Sequence, residues 1–339
     1  MSQKIYGSLF TGGGLADIGA QAAGFTHAWG VEIDPRIAEV AAANGFPSRV
    51  MDVLDADPHD FERVDWLHAS PPCVRASAAN TSAEVNEDGT KETQLDVDMA
   101  TKVAEFIDVL KPDCVTIENV RGYAKFSRCM AVIQDALMDG GYWWHNDILN
   151  CADFGVPQTR IRMVMRAVRG AMPPPLPAPV RWVGWYEAIE DLIDTLPESC
   201  FADWQLKRLP ATITDGWLIN SENAGQEWGC TRIAAQPAMT LSRRSQPRAF
   251  VVANGKYGDD LVIRDAVEPL FTTTANSNQT GIRLWLSQGR VVQMTARALA
   301  RFQSLPDSYK LPDSNALAVK IIGNGVPSLL MQQIGEAWV

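Results

Sequence analysis

The first 170 residues alternate short apolar runs with segments of helical period, and no other feature limits the fold as much. "KIYGSLF" reads as a strand and Leu15–Ala23 as a helix; "HAWGVEI" is a second strand, Ile37–Asn44 a helix, and "VMDV" closes a third strand. "DWLHAS" is the next strand, and Met99–Leu110 is a helix that ends before Pro112. "CVTIEN" follows as a strand, Met130–Met138 as a helix, and "YWWHNDILN" and "RIRMVMRAV" as further strands. Strands separated by helices predict an α/β fold, a mostly parallel sheet covered on both faces. Ligands of such sheets bind at the carboxyl ends of the strands.

"MPPPLPAP" (172–179) breaks the rhythm and reads as a stiff, extended linker. One more helix, "WYEAIEDLIDTL", comes after it, and residues 198–292 then turn β-like. This stretch contains a near-repeat. "EWGCTRIAAQPAMT" (227–240) echoes "KYGDDLVIRDAVEPLFT" (256–272), and "WLIN" and "FVVAN" precede them in turn. Both read as related β-hairpin units. From Thr295 the pattern is helical again. These shifts, in a chain of 339 residues, predict two domains: 1–195 with 293–339, and a smaller, mostly β domain over 196–292.

Composition excludes several classes. No run of eighteen apolar residues predicts a membrane span, and the N-terminus lacks the pattern of a signal peptide, so a cytoplasmic location is expected. Six scattered cysteines without a CxxC pair argue against a zinc site and a disulfide framework. The formal charge of −10 looks hostile to nucleic acid, but it is unevenly spread. Residues 1–150 carry 11 Lys+Arg against 23 Asp+Glu; residues 201–300 carry 11 against 8, with Arg243, Arg244 and Arg248 close together in "LSRRSQPRAF". A local basic surface decides phosphate binding, although an arginine-rich solvated loop has the same composition.

"LFTGGGLADIGAQAAGF" (9–25) sets strand, glycine cluster and helix in order. Such a turn either connects two elements tightly or lets backbone approach a ligand. "VEIDP" puts Glu32 at the end of the next strand, where an acid can accept from ribose hydroxyls. Asp52 ends the third strand, placed to accept from an adenine amino group. Together these imply an adenosine-bearing cofactor. Cys73 follows Pro71-Pro72 at a strand end. A cysteine there is either packing or a held nucleophile. Glu118 closes the hydrophobic strand "CVTIEN"; at a ligand crevice such an acid can have a raised pKa and donate a proton. "QTRIRM" spaces Arg160 and Arg162 by two, which on a strand gives them one face.

These segments resemble the DNA (cytosine-5) methyltransferase family, in that family's order. "FTGGG" is similar to its Phe-x-Gly-x-Gly loop, "SPPC" to its Pro-Cys nucleophile, "ENV" to its Glu-Asn-Val and "QTRIR" to its Gln-x-Arg-x-Arg. "TARALARFQSLPDSY" (295–309) and "IGNGVP" (322–327) are similar to its last two segments. The resemblance implies a Rossmann-like S-adenosylmethionine-dependent methyltransferase domain with a smaller target-recognition domain. It implies that Cys73 attacks C6 of a flipped-out cytosine, Glu118 protonates or hydrogen-bonds N3, Arg162 aided by Arg160 binds O2, and C5 takes the methyl group. Phe10, Gly12, Gly14, Glu32, Ile33, Asp52, Val53, Pro72 and Asn324 are implied to cradle S-adenosyl-L-methionine. Thr240, Arg243, Arg244 and Arg248 are implied to contact double-stranded DNA; Thr272-Thr273 could replace Thr240 as the family's threonine. A monomer is expected, with a restriction endonuclease of the same system as a candidate partner.

The chain also departs from the family. Ser8 stands where the family usually has aspartate, Leu15 where it often has glycine, and Val74 and Ala76 follow the cysteine in place of a glutamine and an aromatic. The polar stretch 78–98 reads as a lid. Two other readings stay open: a methyltransferase acting on cytosine in RNA, and an inactive relative that only binds DNA.

Overall fold

The computed structural model describes residues 3–72, 86, 90–201, 203–207, 209, 217–219, 230–232, 249–254, 261–274, 282–286 and 290–338. Its centre is a seven-stranded sheet in the order β3-β2-β1-β4-β5-β8-β6. The strands are β1 (Ile5–Leu9), β2 (Thr26–Glu32), β3 (Ser48–Val50), β4 (Trp66–Ala69), β5 (Cys114–Val120), β6 (Tyr142–Asn150) and β8 (Ile161–Arg169). β1 to β5 pair in parallel, whereas β8 lies antiparallel between β5 and β6. The sheet is therefore mixed, with β8 alone running against the rest. Strand order reverses at β1, beside β4, and in such sheets ligands bind outside the strand ends at this switch.

Strand alternation gives the sheet two apolar faces. Helices α3 (Gln94–Leu110) and α4 (Ser127–Asp139) cover one, burying Phe106, Ile107, Ile133 and Leu137 against Leu9, Leu67 and Ile117. α3 begins five residues earlier than its apolar pattern suggests. A reciprocal cap starts it: Thr93 Oγ1 accepts from Asp96 N, while the Asp96 carboxylate accepts from Thr93 N. The last residues of the 78–98 stretch are thus helix. The other face is covered by α1 (Leu15–Ala22) and, from the far end of the chain, a helix over Ser328–Glu336.

The proline run 172–179 has no regular structure, as its composition predicts. α5 (Trp185–Ile189) follows, and the expected helix tightens into a 3₁₀ segment over Glu190–Thr195. The β-like stretch is antiparallel. β9 (Trp217–Ile219) pairs with β10 (Cys230–Arg232), and β11 (Phe250–Asn254), β12 (Leu261–Asp265), β14 (Arg283–Trp285) and β15 (Val291–Gln293) form a sheet in the order β12-β11-β14-β15. β13 (Leu270–Phe271) instead runs parallel to β7 (Gln158–Thr159). After a four-residue helix α6 (Asp203–Leu206), the closing helices are α7 (Ala296–Phe302), α8 (Asn315–Asn324) and α9 (Ser328–Glu336).

Gly19 lies where α1 crosses α9. A Cβ there would collide with the Ser328 carbonyl oxygen and come within 2.7 Å of Met331 Cβ. Helix propensity favours alanine over glycine by about 1 kcal/mol, but backbone on the neighbouring helix cannot yield. Gly19→Ala is expected to destabilise the fold by roughly 1–3 kcal/mol, read from the urea unfolding midpoint. A midpoint at or above wild type would show that the helices part without cost.

Candidate active site

β4 ends at Ala69, and Ser70, Pro71 and Pro72 lead toward Cys73. Cys73, Val74, Ala76, Thr240, Arg243, Arg244 and Arg248 lie outside the described residues. The approach to Cys73 is anchored twice. Ser70 Oγ donates to the Phe10 carbonyl (3.3 Å), and Asn119 Nδ2 donates to the Pro71 carbonyl (3.0 Å). Deeper in the sheet, His68 Nδ1 and Thr116 Oγ1 lie 2.8 Å apart and tie β4 to β5. Burial pushes the His68 imidazole down to about 4, so this tie is between neutral groups.

Glu118 and Arg162 meet at the ends of β5 and β8. Antiparallel register sets Val120 opposite Arg162 and Glu118 opposite Val164, so both side chains emerge on one face, one pair apart. Arg162 Nε stands 3.0 Å from Glu118 Oε1, with both residues almost fully buried. The contact lacks hydrogen-bond alignment, and Oε1 has no hydrogen-bond partner. Burial raises the Glu118 pKa, and the Arg162 and Arg160 charges recover only part of that rise. The result is a carboxyl whose burial favours holding a proton beside a guanidinium.

Arg160 is oriented elsewhere. It precedes β8 rather than lying in it, so the two-residue spacing does not place it beside Arg162. Its Nη1 donates to the Thr273 carbonyl (3.2 Å), and its Nη2 to those of Gly323 (3.1 Å) and Gly325 (2.9 Å). Only 1 % of Arg160 is exposed. It fastens the start of β8 to the Gly-Asn-Gly turn and to the end of β13. Gln158 works beside it, donating through Nε2 to the Phe302 carbonyl and accepting Thr273 N on Oε1. Thr272 and Thr273 belong to this junction.

The glycine loop has a tightly specified backbone. Phe10, Gly12 and Gly14 all have positive φ (60°, 59° and 81°), which costs a non-glycine residue such as Phe10. Glu32 Oε2 accepts from Gly12 N and Oε1 from Asp34 N, both at 2.9 Å. Ile33 beside it is 62 % exposed. Asp52 lies two residues past β3 and accepts from Leu54 N, while the Val53 side chain packs in the core below. Pro72 and Asn324 are exposed.

Beneath the loop, Ser8 Oγ donates to Asp17 Oδ1 at 2.9 Å, and His27 Nδ1 lies at 2.9 Å from the same oxygen. His27 Nε2 faces the Pro47 carbonyl, so both ring nitrogens meet acceptors. Burial opposes the charge on His27, but the bond and charge of Asp17 and the Pro47 carbonyl together raise its pKa. From the far end of the chain, Tyr309 Oη donates to the Gly13 carbonyl (2.8 Å). Sequence reading gave no role to Asn119, Gln158 or Tyr309, although each lies in a family motif, and did not single out Asp17. An acid within the apolar pattern of α1 was the available signal for Asp17.

A model of the family described as C-5 cytosine-specific DNA methylase matches residues 6–339. The chain belongs to this family. It is 25% identical over 374 aligned residues to the Type II methyltransferase M.XorII of Xanthomonas oryzae pv. oryzae, covering 99% of this chain and 84% of that one. It is 27% identical over 361 residues to M1.HphI of Haemophilus parahaemolyticus, covering 98% and 86%. Among solved structures, a putative DNA modification methyltransferase encoded within an E. coli prophage superimposes with a TM-score of 0.64 at 16% identity, covering 99% of this chain and 98% of that chain. The fold is thus the Rossmann-like methyltransferase fold, and the chain is a DNA (cytosine-5) methyltransferase by family. Family and fold imply the use of S-adenosylmethionine. No helix among the described residues is long and apolar enough to cross a membrane.

Arg160→Met leaves two buried carbonyls and one part-buried carbonyl without their donor, at about 1 kcal/mol or more each. Urea unfolding of this methylase should show a loss of roughly 3 kcal/mol or more. A loss under about 1 kcal/mol would place Arg160 outside the scaffold.

Proposed function

We propose that the enzyme methylates C5 of a cytosine flipped out of a specific site in duplex DNA, through a covalent bond between Cys73 and C6. The observation that carries this reading is the Glu118 carboxyl. It is buried, raised in pKa and paired through Oε1 with Arg162 at 3.0 Å, beside a strand end steered to Cys73 by Asn119. A pyrimidine edge offers the matching groups, with N3 for Glu118 and O2 for the Arg162 guanidinium.

The chemistry follows from these placements. Cys73 adds as a thiolate to C6, while Glu118 donates its proton toward N3 and Arg162 holds O2, which makes the ring accept electrons. C5 becomes nucleophilic like an enamine carbon. S-adenosylmethionine, when bound, supplies the methyl group that C5 takes. C5 then releases its proton, the C6–sulfur bond breaks, and the C5–C6 double bond returns. The reacting atoms are hidden in a base stack, so the cytosine must leave the duplex at a cost of a few kcal/mol.

The residues at the ends of β1, β2 and β3 fit the cofactor. Glu32 is held by two amides yet keeps lone pairs for ribose hydroxyls, exposed Ile33 offers an apolar platform, and Gly12 faces open space. Phe10, Gly14, Asp52, Val53, Pro72 and Asn324 complete the cradle in this reading, with Val53 contributing backbone. Arg160 serves the site by holding Arg162 and the Gly-Asn-Gly turn in place. Residues 1–195 with 293–339 form the catalytic domain, and 196–292, bearing Thr240, Arg243, Arg244 and Arg248, recognise DNA. Support for DNA over RNA comes from the DNA description of the family and from the Type II relatives.

The test is transfer of labelled methyl from S-adenosylmethionine to cytosine C5 in duplex DNA. Glu118→Gln keeps a donor for N3 but has no proton to give. Its rate should fall about a hundredfold or more. A raised pKa keeps Glu118 protonated to higher pH, and wild-type turnover should decline once pH passes that value; Glu118→Gln should lack this alkaline decline. Wild-type rates in the variant would contradict the assignment.

A further inference from the structure

Beneath the glycine loop lies a run of polar side chains that the methyl-transfer chemistry does not use. Ser8 is on β1, Thr11 in the loop, Asp17 on α1 and His27 on β2. Their hydrogen bonds run in one direction. Ser8 Oγ gives its proton to Asp17 Oδ1 (2.9 Å), so within the 2.9 Å pair of Ser8 and Thr11 hydroxyls Thr11 is the donor. From the other side, His27 Nδ1 lies 2.9 Å from the same Asp17 oxygen, and His27 Nε2 lies 3.1 Å from the Pro47 carbonyl.

A neutral imidazole has one N–H and one lone pair. With an acceptor at each nitrogen, it would set that lone pair against an oxygen. The imidazolium donates from both nitrogens and satisfies both contacts. The His27 side chain is 5 % exposed and that of Asp17 is fully buried. Asp17 Oδ2 has no hydrogen-bond partner among the described residues. The carboxylate therefore relies on Oδ1, and a neutral His27 would leave a buried charge without its counter-charge, a costly state.

The other end of the run is the loop that faces the cofactor. Thr11 sits between Phe10 and Gly12, both at positive φ. Its Oγ1 accepts from Val31 N and its N donates to the Val31 carbonyl, both at 2.9 Å. Those bonds pin the loop to β2 one residue before Glu32, which accepts from Gly12 N. Thr11 thus joins the buried ion pair to the backbone and the carboxylate at the cofactor site.

We propose that His27 is a positioning residue for the cofactor loop: its imidazolium holds Asp17 and, through Ser8 and Thr11, the backbone of residues 10–12, so that the protonated protein binds the cofactor more tightly. This rests on S-adenosylmethionine as the cofactor.

The pH dependence has a definite sign. Burial opposes the His27 charge, but Asp17 and the Pro47 carbonyl outweigh it and raise the pKa. A histidine raised above its unfolded value of about 6.5 stabilises in full below that value and loses the contribution as pH climbs through the folded one. Cofactor affinity should therefore fall on the alkaline side. Among the described residues packed around His27, no other group changes charge there. Burial holds Tyr6, its register partner on β1, and Tyr309, bonded to the Gly13 carbonyl, above the usual tyrosine range. His68 on β4 is pushed down to about 4. On the remaining side, α2 turns Arg36 and Glu39 to solvent, Arg49 of β3 lies over Phe61, and His27 meets the Phe46 ring.

The test follows the histidine ring signals of the full chain by carbon-13 NMR from about pH 5.5 to 9, with and without S-adenosylhomocysteine, the product left by methyl transfer. His27 is one of four histidines. Its signal is assigned by its loss in His27→Gln or, should that variant not fold, by elimination through His59→Gln and His145→Gln, both exposed. The ring should titrate above about 6.5 in the free protein, and higher still with the ligand, because linkage is reciprocal. Calorimetry should show about fivefold or more tighter binding below this pKa than above it. In His27→Gln, whose amide donates to Asp17 at every pH, only the ligand's own amino-group titration should remain. A His27 pKa unmoved by the ligand, or the wild-type pH dependence in His27→Gln, overturns the proposal and leaves the methyltransferase reading intact. A protein that binds no S-adenosylhomocysteine at any pH overturns the cofactor reading as well.

Discussion

A carboxyl held out of water beside a guanidinium is the interaction on which the rest of the site depends. Burial drives Glu118 toward its neutral form, and the nearby arginines drive it toward its charged form. In a dry interior each influence amounts to several kcal/mol, so small changes in position decide the balance. Here burial wins over the combined pull of the Arg162 and Arg160 charges and the close Arg162 contact. The balance leaves a carboxyl that keeps its proton to higher pH than a free one.

Much of the fold serves to keep this balance. The site is assembled from segments far apart in the chain. Asn119 holds Pro71 across 48 residues, Gln158 holds Phe302 across 144, and Tyr309 reaches Gly13 across 296. Arg160 is the hub. By gathering carbonyls from just after β13 and from the C-terminal end of α8, it fixes where β8 begins and hence where Arg162 stands. The closing helices return to cover the sheet, and so bring the last family segments under the glycine loop. Lys4 Nζ donates to the Trp338 carbonyl, which closes the circle between the two ends.

The order of strands and helices was legible in the sequence because apolar periodicity reports burial directly. The strand-end positions of Glu32 and Glu118 were legible for the same reason. Direction was not. "RIRMVMRAV" reads identically whichever way β8 runs, yet only the antiparallel course brings Arg162 to Glu118. Two-residue alternation makes Arg160 and Arg162 equivalent only within one strand, and the start of β8 falls between them. The start of α3 was hidden in a polar stretch, although Thr93 and Asp96 spell out a capping pair. Asn119, Gln158 and Tyr309 act through carbonyls distant in sequence, and no local pattern reports such partners.

The central claim is that Cys73, at the end of the strand steered by Asn119, bonds to the pyrimidine that Glu118 and Arg162 hold. The most direct measurement uses duplex DNA containing 5-fluorocytosine, whose fluorine cannot leave as the C5 proton does. Incubation with S-adenosylmethionine, proteolysis and mass spectrometry should yield a nucleotide-bearing peptide modified at residue 73, and none from Cys73→Ala. An adduct at another residue, or one that survives in Cys73→Ala, would contradict the account.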